Sequence, residues 1–202
     1  MSQDRKDRIL DVAIRLAEEG GFDNVRQRDV AAQAGVALGT LYNNFKGKED
    51  LLSAALERET QTLEQRMNRK PIVEGNEVER LTSFFQSVTR ALCRKPNYAR
   101  ATIKAMASGD EESAGNVVAY QAQMNSMIVA AMRGVKPSSL KEEGAELPTE
   151  REFNLAILLQ QLWFASLVGW SAKLHSQARI VEQTKMAAEL LVLGFAAQEN
   201  KE

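Results

Sequence analysis

The sequence predicts an all-helical chain of about nine helices, with a three-helix N-terminal unit ahead of a larger helical body. Three observations carry this. Apolar residues recur at the 3-4 spacing of helices along most of the 202 residues, no run alternates with the period of two a strand needs, and the breaks fall on Gly and Pro.

The first helix is expected from Asp4 to Glu19, with Ile9, Val12, Ala13, Leu16 and Ala17 on one face and Gly20-Gly21 ending it. Two short helices follow, Gln27–Ala34 and Leu38–Asn44, hinged at Gly35. A fourth starts near Lys48 with Leu51, Leu52, Ala55, Leu56 and Leu63 inward, and a break falls at Pro71 and Gly75. Val78, Leu81, Phe85, Val88 and Leu92 define a fifth. Pro96 suits the first turn of a sixth, which ends around Ser108-Gly109. The seventh runs from Glu111 to Arg133, with Asp110-Glu111-Glu112 read as a negatively charged helix start. Residues 134–148, with Gly134, Pro137, Gly144 and Pro148, predict a mobile loop. Thr149-Glu150-Arg151-Glu152 is a capping-box pattern opening the eighth helix, and the ninth covers Ala178 to Ala197.

Composition excludes several classes. Net charge is −1, and residues 1–70 carry twelve Lys/Arg against twelve Asp/Glu, so affinity for a polyanion must come from arrangement rather than bulk charge. One cysteine, Cys93, permits no internal disulfide and fits a reducing cytosol, and a single histidine, His175, cannot build a His-rich metal site. The start Met1-Ser2-Gln3-Asp4-Arg5 has no apolar segment of a secretion signal, so a cytoplasmic location is expected. Phe153 to Ala172 is uncharged and long enough to span a bilayer, but Gln160 and Gln161 near its middle would each cost kilocalories in lipid. A helix buried in protein is the expected reading.

Gln27 to Phe45 holds the most informative pattern. Gly35 supplies a turn residue that can take positive φ, Ala31 is small enough for two helices to approach closely, and Leu41 is placed to plug the corner, backed by Val30, Val36 and Phe45. Outward, the third helix offers Leu38, Gly39, Thr40, Tyr42, Asn43 and Asn44, short or polar groups of the kind that reach base edges and phosphates in a major groove. Arg26, Gln27 and Arg28 open the second helix and Lys48 the fourth, both helix starts able to meet a phosphate backbone.

Ile9-Leu10-Asp11-Val12-Ala13, Gly20-Gly21-Phe22, Arg28-Asp29-Val30-Ala31 and Ala34-Gly35-Val36 resemble the TetR family of regulators. Gly39-Thr40-Leu41-Tyr42-Asn43-Asn44-Phe45 with Lys48-Glu49-Asp50-Leu51-Leu52 is similar to that family's most recognisable stretch. The resemblance implies a homodimeric transcriptional repressor with a DNA-binding domain over 1–50. Helix four links it to a ligand-binding and dimerisation domain over 51–202. It further implies phosphate contacts by Thr40, Tyr42 and Lys48 and an approach to bases by Leu38 and Asn43, with Arg28 and Gly39 as further candidate DNA-binding residues. Ala37 departs from the family's usual Ser or Thr, and Leu38 from a polar or basic residue, which removes one phosphate contact and suggests an apolar touch to a thymine methyl.

In the body, Arg94-Lys95-Pro96-Asn97, residues 101–107, Leu147-Pro148-Thr149-Glu150, Leu162-Trp163-Phe164-Ala165 and Gly169-Trp170 are similar to the cholesterol-catabolism (KstR-like) regulators of that family. This implies a hydrophobic effector, steroid-like or an acyl-CoA thioester, in a cavity bounded by helices five to eight. Phe84, Phe85, Leu92, Tyr98, Met106, Met124, Met127 and Trp163 are the candidate lining, Met being suited to irregular space. Helix eight is apolar on more than one face, with Leu155, Leu158, Leu159 and Leu162 available to the core. Leu162, Ala165, Ser166, Gly169, Trp170, Leu191 and Phe195 are the candidate dimer contacts, small residues allowing close helix approach.

A helical enzyme is the competing class. One His, one Cys, no phosphate loop after a strand and no Glu-x-x-His pair leave no catalytic residues, cofactor or metal to nominate. The other alternative is a helical ligand- or partner-binding protein with a non-functional DNA head, which loss of the basic groups would favour; Arg28 and Lys48 are present.

Overall fold

Nine α-helices occupy the described residues of the computed structural model, 1–108 and 114–199: α1 (Gln3–Gly20), α2 (Gln27–Ala34), α3 (Leu38–Tyr42), α4 (Lys48–Arg69), α5 (Glu77–Cys93), α6 (Pro96–Met106), α7 (Ala114–Arg133), α8 (Glu150–Ser171) and α9 (Gln177–Glu199). Single 3-10 turns lie at Phe22–Asn24 and Pro137–Lys141, and no strand occurs among the described residues. The acidic start expected at Asp110-Glu111-Glu112 falls outside them.

The chain forms two compact units, and neither is continuous in sequence. One comprises residues 1–60 and 92–121, the other 61–91 and 122–202. This differs from a linear cut at residue 50, because α6 packs on α1 and the Phe22–Asn24 turn. Tyr98, Ala101 and Ala105 complete the core built by Ile9, Leu10, Ala13, Ala17, Val30, Leu41, Phe45, Leu51 and Leu52. Polar ties lock the same unit. Arg58 donates to the Asp7 carbonyl at 2.9 Å and to Asp11 Oδ1 at 2.5 Å, and Glu18 Oε2 accepts from the backbone N–H groups of Asn97 and Tyr98 at 3.0 and 2.9 Å. Glu18 thereby satisfies donors that the start of α6 would otherwise leave open.

In the second unit, Phe84, Phe85 and Trp163 are each at most 2% exposed. The two Phe rings meet edge to face at 5.1 Å, and Trp163 Nε1 donates to Thr89 Oγ1 at 2.9 Å, satisfying the one polar atom of the indole. α8 is long and apolar enough to cross a membrane, yet Leu155, Ala156, Leu159, Gln160, Trp163, Leu167 and Trp170 are buried inside this unit.

Two expectations need correction here. Leu158 and Leu162 stay 43% and 37% exposed instead of filling the core, which Leu155 and Leu159 occupy. The 134–148 segment is held in place by specific bonds: Ser138 N donates to Asn68 Oδ1 at 2.8 Å, Lys141 pairs with Glu64 at 2.5 Å, and Pro137 is buried. The sequence shows its Gly and Pro residues but not these partners.

The capping box is present as predicted, Thr149 accepting from Glu152 N while the Glu152 carboxylate accepts from Thr149 N. Glu152 also takes both arms of Arg133 at 2.7 Å. Hydrogen bonding from Arg133 outweighs burial and brings the Glu152 carboxyl down to about 2. A depressed carboxylate stabilises the fold fully above its unfolded value near 4.5, and that contribution disappears as pH falls toward about 2. Glu152→Ala is therefore expected to cost on the order of 2–3 kcal/mol at pH 7 and clearly less at pH 2, where the ion pair is lost in both proteins and only the capping-box hydrogen bond from Thr149 N separates them, read by denaturant melts at both pH values. An equal loss at both would remove the ion pair as the cause.

Candidate nucleic-acid interface

The corner between α2 and α3 is built as its residue types require. Gly35 takes the left-handed conformation, φ 64 and ψ 41, which a Cβ disfavours, and it terminates α2. Ala31 and Leu41 are 3% and 0% exposed where the helices meet, with Val30 and Phe45 behind them. Gln27 Nε2 donates to the Phe45 carbonyl at 2.9 Å, tying the start of α2 to the chain just beyond α3. Gln27 thus acts as an internal clamp, while its neighbours Arg26 and Arg28 remain exposed.

α3 ends at Tyr42, two residues earlier than periodicity suggested, and Asn44 folds back so that its Nδ2 donates to the Thr40 carbonyl at 2.7 Å. Gly39, Tyr42 and Asn43 are exposed, and Tyr42 leaves 46% of its surface open to solvent. Thr40 is half-buried. Leu38 packs partly against the core, so only part of its side chain remains outward. A short helix with an open aromatic, an amide, a hydroxyl and a glycine, fixed over an apolar plug, can place those groups against an external surface without reorganising.

At the start of α4, Lys48 Nζ lies 3.3 Å from Asp23 Oδ1 and 4.1 Å from the centre of the Phe22 ring. Asp50 secures the same turn, accepting from Lys46 N at 3.0 Å and from Asn116 Nδ2 at 2.6 Å. Lys104, on α6, reaches the same pair, at 3.7 Å from Asp23 Oδ2 and 4.4 Å from the Phe22 ring. The hydrogen bond from Lys48, reinforced by Lys104, holds the Asp23 carboxyl below the ordinary carboxylate range. Sequence reasoning missed Asp23 and Lys104, because nothing local connects Lys104 to a motif that far upstream.

Residues 9–55 match the family described as bacterial regulatory proteins, tetR family, and residues 75–191 match the tetracyclin repressor-like C-terminal domain. The chain belongs to the TetR family. It is accordingly a DNA-binding transcriptional regulator and not an enzyme. It is 30% identical to the HTH-type transcriptional repressor KstR of Mycolicibacterium smegmatis over 190 residues, 94% of this chain and 88% of that one. A TetR transcriptional regulator from Rhodococcus sp. RHA1 superposes with a TM-score of 0.80 at 25% identity, covering 95% of this chain and 97% of that one. Thermus thermophilus FadR, solved in complex with lauroyl-CoA, shares the fold with a TM-score of 0.68 at 22% identity, over 93% of each chain.

The residues nominated for an effector divide between the two units. Tyr98, buried, and Leu92 and Met106, half-buried, belong with the first, and Tyr98 is part of the core beneath the helix-turn-helix. Phe84, Phe85, Met124, Met127 and Trp163 lie in the interior of the second. A groove of about 630 Å³ in the second unit, between the start of α5 and the end of α9, is lined by Val78, Val192, Leu193 and charged Glu77, Glu79, Lys185 and Glu189, and by none of the nominated residues. Among the described residues, no three His, Cys, Asp or Glu side chains converge as a metal site would require.

The nominated dimer contacts also divide. Leu162 and Ala165 are exposed, but Ser166 is buried and bonded to Gln183, and Trp170 is 6% exposed in the core. Gly169, Leu191 and Phe195 are half-buried. The large apolar side chains open on these two helices are Phe153, Leu158, Leu162 and Val168 of α8 and Met186, Leu190 and Leu193 of α9. Sequence spacing finds such a helix's apolar positions but not which of its faces the rest of the unit covers.

Proposed function

We propose that this regulator is a cytoplasmic repressor that binds operator DNA as a homodimer and is released by a hydrophobic small molecule, an acyl-CoA thioester or a steroid-like compound. The observation that carries DNA reading is the preformed corner of Ala31, Gly35 and Leu41 with Tyr42, Asn43 and Gly39 open beside it. Arg28, Thr40, Tyr42 and Lys48 supply backbone contacts, and Asn43 with the open part of Leu38 supplies base contacts.

The repressor reading draws support from KstR, and the thioester class from a FadR structure of the same fold holding lauroyl-CoA. The effector is assigned to α5, α7 and α8 of the second unit, where Phe85, Met124, Met127 and Trp163 offer adaptable apolar lining. It acts by population shift, binding more tightly to a dimer whose two heads no longer match successive major grooves about 34 Å apart.

The test begins with DNA fragments selected from a random pool by the purified protein. Long-chain acyl-CoA and steroid thioesters are then screened by thermal shift and by anisotropy on the selected site. At a hundredfold excess over Kd, a ligand binding only the native state adds about 2.7 kcal/mol, roughly 5–10 °C at this chain length. The same ligand should lower operator affinity at least tenfold. Thermal stabilisation with unmoved operator affinity would overturn ligand release, and a pool with no selected site would favour a partner-binding protein with a non-functional head.

A further inference from the structure

Lys48 and Lys104 come from helices far apart in sequence, yet their ammonium groups bracket one carboxylate and stand over one aromatic ring. Asp23 is open to solvent, its side chain 82% exposed, so burial does not force this pairing. Two cations held this close repel each other, and Asp23 and the face of Phe22 offset that repulsion in the free protein. The trio carries a net charge of +1 and presents two ammonium groups where a single anion can meet both.

Beside it lies an open, polar groove of about 360 Å³, lined by Gly21, Phe22, Asp23, Asn97, Arg100 and Lys104. The first N–H groups of α6 are already used by Glu18, so any anion entering this groove is met by side chains and not by the helix end.

We propose that Lys104 is a second DNA-backbone contact of each head, sharing one phosphate with Lys48, and that Asp23 holds the position of that phosphate until DNA arrives. The inference rests on the DNA-binding reading of the head, and it adds a residue from α6, outside the helix-turn-helix. It further makes Asp23 a brake on affinity, because DNA must displace a carboxylate already neutralising both lysines. Part of the α6 surface is then in the DNA interface.

The experiment uses fluorescence anisotropy of the full chain on a duplex of arbitrary sequence, with salt varied from 50 to 200 mM. The trio's net +1 neutralises one phosphate, and removing Lys104 leaves Lys48 and Asp23 as a neutral pair, so the salt slope falls by about 0.9 per head, equivalent to about 3.5-fold less weakening over that range. Lys104→Ala should show this drop and bind more weakly on every sequence, Lys104→Arg should retain the slope, and Asp23→Asn should bind more tightly than wild type. Lys136→Ala, the same charge change at an exposed position of the other unit, should leave the slope in place. The proposal is overturned if Lys104→Ala keeps the wild-type slope, if Lys136→Ala loses as much, or if Asp23→Asn weakens binding. A wild-type protein with no salt-dependent DNA affinity would instead sink the DNA-binding reading and this inference with it.

Discussion

Tyr42→Ala is expected to reduce operator affinity by about 100-fold or more while leaving the melting temperature within a degree or two of wild type. The side chain is 46% exposed, and it lies one position beyond Leu41, the fully buried plug, so its removal opens no cavity. Its hydroxyl, in the role the family resemblance implies, donates to a phosphate oxygen, a hydrogen bond to a charged group worth about 1.5–3 kcal/mol. A homodimer loses it twice, hence the two orders of magnitude. Tyr42→Phe, which keeps the ring and removes the hydroxyl, separates hydrogen bonding from stacking on the sugar-phosphate edge. Anisotropy on a selected operator reads both variants, and wild-type affinity for Tyr42→Ala would displace the reading head from α3.

The second large effect concerns the dimer. Leu158, Leu162 and Ala165 on α8, with Met186, Leu190 and Leu193 on α9, form two exposed apolar stripes on helices that pack against each other. Apolar side chains repeated on adjacent helices suit a four-helix, isologous interface with a second copy, which should bury well over about 1,000 Å². Leu190→Glu introduces a charge at a position 65% exposed in the single chain, so the fold of one chain tolerates it. Buried between two copies, the same carboxylate loses its hydration among apolar side chains with no counter-ion supplied, which costs several kilocalories. The expected result is a monomer in sedimentation at micromolar concentration and a loss of operator affinity of about 100-fold or more, since two linked heads gain that much over one. A stable Leu190→Glu dimer with undiminished DNA binding would place the interface on another surface. Gly169 is a poorer probe, because a Cβ there would fall 2.5 Å from His175 Nε2 within the same chain.

The sequence by itself determined the helices, the capping box at Thr149 and the helix-turn-helix, because each depends on short-range rules. A glycine is needed where φ is positive, a small residue where two helices touch, and a Ser or Thr three residues before Glu where a helix starts. The 134–148 segment shows the limit of such rules: its Gly and Pro residues report turns, while Asn68 and Glu64, which pin it, lie about seventy residues earlier. Only the tertiary structure decided that α6 belongs with the head, that Trp170 and Ser166 face inward while Leu158 and Leu162 face out, and that Lys104 joins Lys48 at Asp23. The physical reason is common to all three. Periodicity ranks the faces of one helix by polarity, whereas burial and ion pairing depend on which other helix arrives at that face, and that is set by packing across long sequence separations.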